Sequence, residues 1–257
     1  MTAAALTRLR RLAPPLLLVL LGTALLRITV GSDVYLRYVK EELRLPLVAS
    51  GVILLGLGVA GAATRLAPHG GGHRDHGHGH DHGHAHGHGP GVAWLLALPA
   101  VLLLCLTPPA LGSFTASRAD TDAAVDPGAY PTSPLADLPT PLPLSLGEFI
   151  ARSRDPRHTL AGHPVRLTGF VTPGTAPGEW YLNRLVAHCC AADARRLRVL
   201  VHADGPTPAT DSWVELTGVW HPTPAAPATT PPRLDATARH PAPHPRTPYR
   251  DTPPPPA

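Results

Sequence analysis

"HPVRLTGFVTP" (His163–Pro173) is the stretch that decides how the C-terminal half of this 257-residue chain is read. Val165, Leu167, Gly169 and Val171 recur at every second position, the period of a strand that buries one face. Prolines bound the run on both sides. "DSWVELTGVWHP" (Asp211–Pro222) repeats the pattern, so that "RLTGFV" and "ELTGVW" read as matching strands. "EWYLNRLVAHCC" (Glu179–Cys190) and "LRVLVHAD" (Leu197–Asp204) lie between them. Several short strands separated by Gly/Pro turns in a small unit predict an all-β, OB-like barrel over residues 145–222. Gly169 and Gly218 inside the strands predict bulges or sharp bends. "SLGEFIARSRDP" (Ser145–Pro156) opens the unit with a helix, capped by Ser145 with Glu148 three residues on.

Outward from this unit the composition changes abruptly. Residues 12–63 and 91–111 are strongly apolar, 64–90 are His/Gly, and 112–144 and 222–257 are rich in Pro, Thr and Ala. This order predicts a transmembrane region over 1–111, a Pro-rich spacer over 112–144 and a disordered Pro-rich tail over 223–257. The barrel unit alone has the makings of a core, and its size is close to the lower limit for independent folding. With 22 Lys+Arg against 18 Asp+Glu, the formal charge is +4. The arginines are scattered and no basic stripe interleaves with aromatics, which argues against a nucleic-acid partner. Three cysteines, Cys105, Cys189 and Cys190, do not make a disulfide scaffold.

Three apolar runs have the length of membrane helices: Leu12–Gly31, Leu45–Ala63 and Val92–Gly112. The first follows Arg8, Arg10 and Arg11 but lacks a cleavage site, so it reads as an anchor rather than a signal peptide. The second carries Gly51, Gly56, Gly58 and Gly61, small residues that let helix backbones approach in lipid. Pro108 and Pro109 end the third. "SDVYLRYVKEELRLP" (Ser32–Pro46) reads as an interfacial turn between the first two. The N-terminal arginines place the N-terminus in the cytoplasm, which puts the C-terminal domain outside the plasma membrane. Three spans are too few for a solute pathway, so a larger partner or a homo-oligomer is implied.

The combination of "TPPALGS" (Thr107–Ser113), "VRLTGFV" (Val165–Val171), "LNRLVAHCCAADA" (Leu182–Ala194) and "WVELTGVW" (Trp213–Trp220) resembles the YcgQ-like family of bacterial membrane proteins. The resemblance covers nearly all of residues 10–222. Its most specific part is Arg184, Cys189, Cys190, Asp193 and Ala194. Members are described as permease-associated subunits and occur alongside a separate multi-span permease, so the resemblance implies such a partner and a transport context. The His-rich loop and the Pro-rich tail lie outside the family pattern.

Two places offer chemistry. "HRDHGHGHDHGHAHGHG" (His73–Gly89) presents His73, His76, His78, His80, His82, His84, His86 and His88, with Asp75 and Asp81 among them. Imidazoles suit zinc and other transition metals. The alternating His-Gly pattern predicts several weak, exchanging ions rather than one defined geometry. "HCCAAD" offers His188, Cys189, Cys190 and Asp193, all zinc-ligand types. On a regular strand, adjacent cysteines point to opposite faces, and a shared ion needs a bend after Cys190. Three readings stay open here: a metal or redox-linked site, a structural pair, and a nucleophilic Cys190 with His188 or His202, activated by Arg195 and Arg196. No further catalytic signature accompanies the pair, and the chain is not read as an enzyme. The favoured function is an accessory subunit of a permease linked to transition-metal handling. The alternative is a membrane-tethered envelope domain that runs thiol or redox chemistry at the Cys pair.

Overall fold

The computed structural model describes residues 3–66, 98, 101–102, 105–106, 109–119, 122–125, 130, 134–223 and 230–255. They divide into a helical unit (Met1–Tyr35 and Glu42–Pro108) and a second unit formed by Pro109–Ala257 together with Leu36–Glu41.

In the helical unit, α1 spans Ala3–Thr29 and α2 spans Arg44–Leu66. Both are long and apolar enough to cross a membrane. Most of the expected third span, Val92–Gly112, lies outside the described residues, as does the whole His-rich loop. Gly51 and Gly58, two turns apart, are buried in α2. A Cβ on Gly58 would lie 2.8 Å from the carbonyl oxygen of Pro15 and 2.8 Å from Val19 Cγ2 on α1, so the backbones are in close contact there. Gly22 meets the Gly51 carbonyl in the same way, also at 2.8 Å. Gly56 has nothing within 4 Å. Away from this contact, α2 leaves Leu45, Val52, Ile53, Leu57 and Val59 exposed. Gly58→Leu should therefore overpack the helix pair by about 1–3 kcal/mol. Gly56→Leu should be close to neutral. Denaturant-titrated unfolding of the full chain in detergent, followed by helical circular dichroism, compares the two.

The second unit is built on a six-stranded mixed sheet. Its strands are β1 (Leu142–Pro143), β2 (Pro164–Pro173), β3 (Glu179–Val186), β4 (Arg195–His202), β5 (Trp213–His221) and β6 (Arg233–Pro241). Their order is β1-β2-β3-β4-β6-β5, and β2 also pairs with β5. The β1–β2 and β4–β6 pairs are parallel and the others antiparallel. The ten-residue β2 makes both of its antiparallel pairings by changing partner along its length. Pro164–Phe170 face β5, and Phe170–Pro173 face β3. Gly169 sits at that change, where a Cβ would lie 2.6 Å from the Asn183 carbonyl oxygen. The register shift in the β5–β6 pair falls between Thr217 and Gly218, the bulge expected from the sequence. The matched "RLTGFV" and "ELTGVW" segments pair directly, with Leu167 opposite Leu216.

One side of the sheet closes over Leu182, Leu197, Val199, Val201, Leu216 and Trp180, alternate residues of successive strands. Helix α4 (Leu146–Ser153) packs Leu146, Phe149 and Ile150 onto them. Ser145 caps it, with Oγ accepting from the Glu148 N–H at 3.3 Å. The Glu148 carboxylate pairs with Arg152 at 2.8 Å instead of completing a capping box. A second apolar cluster joins Phe170, Leu185 and Ala187 to Ala116 and Tyr249.

Two expectations from composition need correction. The stretch from 223 to 257 is not a disordered tail throughout, because β6 lies between β4 and β5, and Tyr249 is buried. Leu234 is the one fully buried side chain of β6, so its apolar pattern is faint. Its place is set by backbone pairing, which β4 and β5 need to satisfy their N–H and C=O groups. Residues 112–144 are likewise not a free spacer. Ser113–Arg118 forms the short helix α3, Val125, Leu142 and Leu144 are buried, and the Ala123 N–H donates to the Arg196 carbonyl at 2.6 Å.

Candidate metal centre

Strand β3 ends at Val186, and residues 187–194 turn the chain back into β4. Ala191–Asp193 make a single helical turn inside this connection. It brings the Asp193 carboxylate back under the preceding backbone. Oδ1 accepts the His188 N–H at 2.9 Å and Oδ2 accepts the Cys189 N–H at 2.8 Å. The bend overrides strand alternation. Cys189 Sγ and Cys190 Sγ lie 3.5 Å apart rather than on opposite faces.

Cys189, Cys190 and Asp193 are the one set of at least three His, Cys, Asp or Glu side chains among the described residues with metal-ligand spacing. Their ligand atoms all lie within 4.8 Å of one another. Two thiolates on one tetrahedral zinc stand about 3.8 Å apart, given Zn–S bonds of about 2.3 Å. The sulfurs are therefore already near that spacing. An ionised carboxylate has about four lone-pair sites, so Asp193 keeps capacity for an ion while it holds two amides. The His188 imidazole is not part of the cluster; its residue contributes a backbone N–H. Cys189 is exposed and Cys190 partly so, and both are free thiols. His73, His76, His78, His80, His82, His84, His86 and His88 lie outside the described residues.

The electrostatics do not favour a thiolate at Cys189. Hydrogen bonding to the Asp193 carboxylate, and then to Cys190, pushes the Cys189 thiol up to about 12. The same contacts hold Asp193 down to about 2. Of the two arginines expected to favour a thiolate, Arg196 is engaged elsewhere. Arg196 is buried, pairs with Asp122 at 2.6 Å and donates to the Ala116 carbonyl. Arg198 reaches the other Asp122 oxygen at 3.1 Å and covers the Tyr181 ring. These contacts pin the 112–144 segment to β4, a role not visible in the arginine cluster itself.

Arg184, four residues before the turn's first N–H donor, is buried. Its guanidinium lies 3.9 Å from Asp251 Oδ1, donates to the Arg250 carbonyl and sits 5.0 Å from the Trp213 ring. Asp251 in turn accepts the Leu146 and Gly147 N–H groups at 3.1 and 2.7 Å, at the start of α4. Sequence reasoning missed this carboxylate, because the amides it holds at the start of α4 are more than 100 positions away. The one local sign is that Tyr249, Arg250 and Asp251 interrupt a proline-rich run.

These features define a protein with two long apolar helices and a mixed-sheet domain that carries a Cys-Cys-Asp turn. Residues 154–250 match the family described as the DUF1980 C-terminal domain, a stretch that contains β2 to β6 and the whole turn. No curated protein matches the chain.

Proposed function

We propose that this chain is an integral membrane protein of the YcgQ-like kind, an accessory subunit of a multi-span permease whose C-terminal domain holds a transition-metal ion at Cys189, Cys190 and Asp193. The observation that carries the metal assignment is the convergence of two sulfurs, 3.5 Å apart, and one carboxylate on a single exposed turn. Zinc, or another ion that accepts thiolate, fits this donor set. The ion displaces the Cys189 proton. An exposed three-ligand site leaves a coordination position for water or for a ligand from a partner, and that suits handover more than permanent storage. The His-rich loop is read as a separate, weaker reservoir.

The β2–β5 pairing, together with the order β2-β3-β4-β6-β5, supports reading the sheet as an OB-like barrel. The domain lies outside the plasma membrane, on the side opposite the N-terminus. The thiol-redox alternative receives less support, because the Asp193 carboxylate stabilises the protonated Cys189 thiol.

The test uses the full chain with residues 73–89 deleted, equilibrated with zinc and analysed for bound metal. A tightly held ion should survive that deletion. It should weaken at least about a hundredfold in the Cys189→Ser, Cys190→Ser double variant, since even outer-shell changes cost 10–100-fold. Equal zinc content in the double variant would remove the metal assignment. Co-purification of a multi-span partner from native membrane tests the permease part, and its absence under crosslinking would count against that part alone.

A further inference from the structure

Leu36–Glu41 joins α1 to α2 in the sequence, yet it belongs to the sheet domain. Its backbone is paired with the cysteine turn. The Lys40 N–H donates to the Cys189 carbonyl at 3.1 Å, the Ala191 N–H donates to the Tyr38 carbonyl at 2.6 Å, and Val39 forms an antiparallel bridge with Cys190. A second clasp comes from the far end of the chain. The Tyr249 hydroxyl donates to the Arg37 carbonyl at 2.8 Å and accepts the Leu111 N–H at 3.0 Å. The seat is also imperfect: among the described residues, the buried Tyr38 hydroxyl has no hydrogen-bond partner. A buried orphan donor disfavours the closed arrangement and leaves it easier to open.

From this geometry we infer that Leu36–Glu41 is a releasable strap on the cysteine turn, whose closure is coupled to the state of Cys189 and Cys190. The coupling runs through one short piece of backbone. The Cys189 N–H is held by Asp193 and the Cys189 carbonyl is held by Lys40, so the residue that offers a sulfur also carries the strap. Drawing both sulfurs and the carboxylate onto an ion orders this turn and favours the closed strap. By linkage, a loosened strap weakens the grip on the ion. The strap is also part of the chain connection between α1 and α2. The metal arm of this inference rests on the proposed function; the strap itself does not.

Two measurements on the full chain decide it. The first needs no metal. Tyr249→Phe removes the hydroxyl that holds Arg37 and should raise maleimide labelling of the half-buried Cys190 about fivefold, the opening expected from losing one ordinary hydrogen bond. The melting transition followed by tryptophan fluorescence checks that the variant still folds. A folded Tyr249→Phe protein with unchanged labelling overturns the strap. If that variant does not fold, Lys40→Pro replaces it: it deletes the donor to the Cys189 carbonyl and carries the same expectation. The second measurement is hydrogen exchange of the peptide covering residues 36–41, with and without zinc ion. Exchange should slow when zinc is bound and stay unchanged in the Cys189→Ser, Cys190→Ser variant. Bound zinc without any change in exchange overturns the coupling. Failure to bind zinc at all sinks the metal assignment, and the labelling result still decides the strap.

Discussion

A chain cut after Thr223 should lose the cooperative fold of its C-terminal domain, although the removed residues look dispensable by composition. The cut removes β6, which pairs in parallel with β4 and antiparallel with β5. Both strands then expose backbone groups that had partners inside the sheet. Leu234, fully buried in the main core, is lost, and core leucines removed singly cost about 2–5 kcal/mol. Tyr249 and Asp251 go with it, uncovering Phe170 and Leu185 and stranding Arg184. Each of these losses is a large part of the roughly 5–15 kcal/mol that holds a domain folded. Urea titration followed by tryptophan fluorescence, with hydrogen exchange on the β3 and β4 peptides, reads the outcome. A truncated protein that unfolds cooperatively, near the midpoint of the full chain, would show that β6 is an accessory strand.

Asp251→Ala should destabilise the domain by about 3–5 kcal/mol, the usual cost of removing one partner from a buried charge pair. Asp251 is 6% exposed at the side chain and Arg184 is 3% exposed. The pair is not a simple gain. Burial pushes the Asp251 carboxyl above its ordinary range, against the opposing pull of the Gly147 amide and Arg184. Desolvation therefore outweighs attraction, and an apolar pair could be tolerated. Removing the carboxylate alone is different. It leaves the Arg184 charge buried, with its Nε already lacking a hydrogen bond, and frees the Leu146 and Gly147 N–H groups at the start of α4. A double-mutant cycle makes this specific. Arg184→Met combined with Asp251→Ala should cost less than the two single changes added together, by more than about 1 kcal/mol. Strict additivity would mean that Asp251 acts only as a helix cap.

Much of the strand content was legible because it rests on local alternation. Trp180 and Leu182, then Leu197, Val199 and Val201, then Val214 and Leu216 each repeat at two residues and face the core, and Trp220 rejoins it beyond Gly218. The contact glycines of α2 were legible in part. Gly51 and Gly58 meet α1, while Gly56 does not, because membership of one helix face depends on which side the partner occupies. The Cys-Cys-Asp cluster was legible as a set of ligand types. That both sulfurs point the same way was not, since it depends on the Asp193 carboxylate tying back the His188 and Cys189 amides.

The sequence by itself determined the two long apolar helices, the strands β2 to β5, the bulge at Gly218 and the ligand types at the turn. In all of these, the signal and the structure lie within a few residues of each other. Only the tertiary structure decided that a proline-rich tail supplies β6, that Tyr249 and Asp251 clasp the domain, that Asp122 ties the supposed spacer to Arg196, and that the connection between α1 and α2 lies on the cysteine turn. These contacts join residues separated by 74 to 212 positions, or depend on backbone hydrogen bonds that carry no side-chain pattern. A backbone donor has the same chemistry in every residue except proline, so its partner is fixed by where the rest of the chain folds.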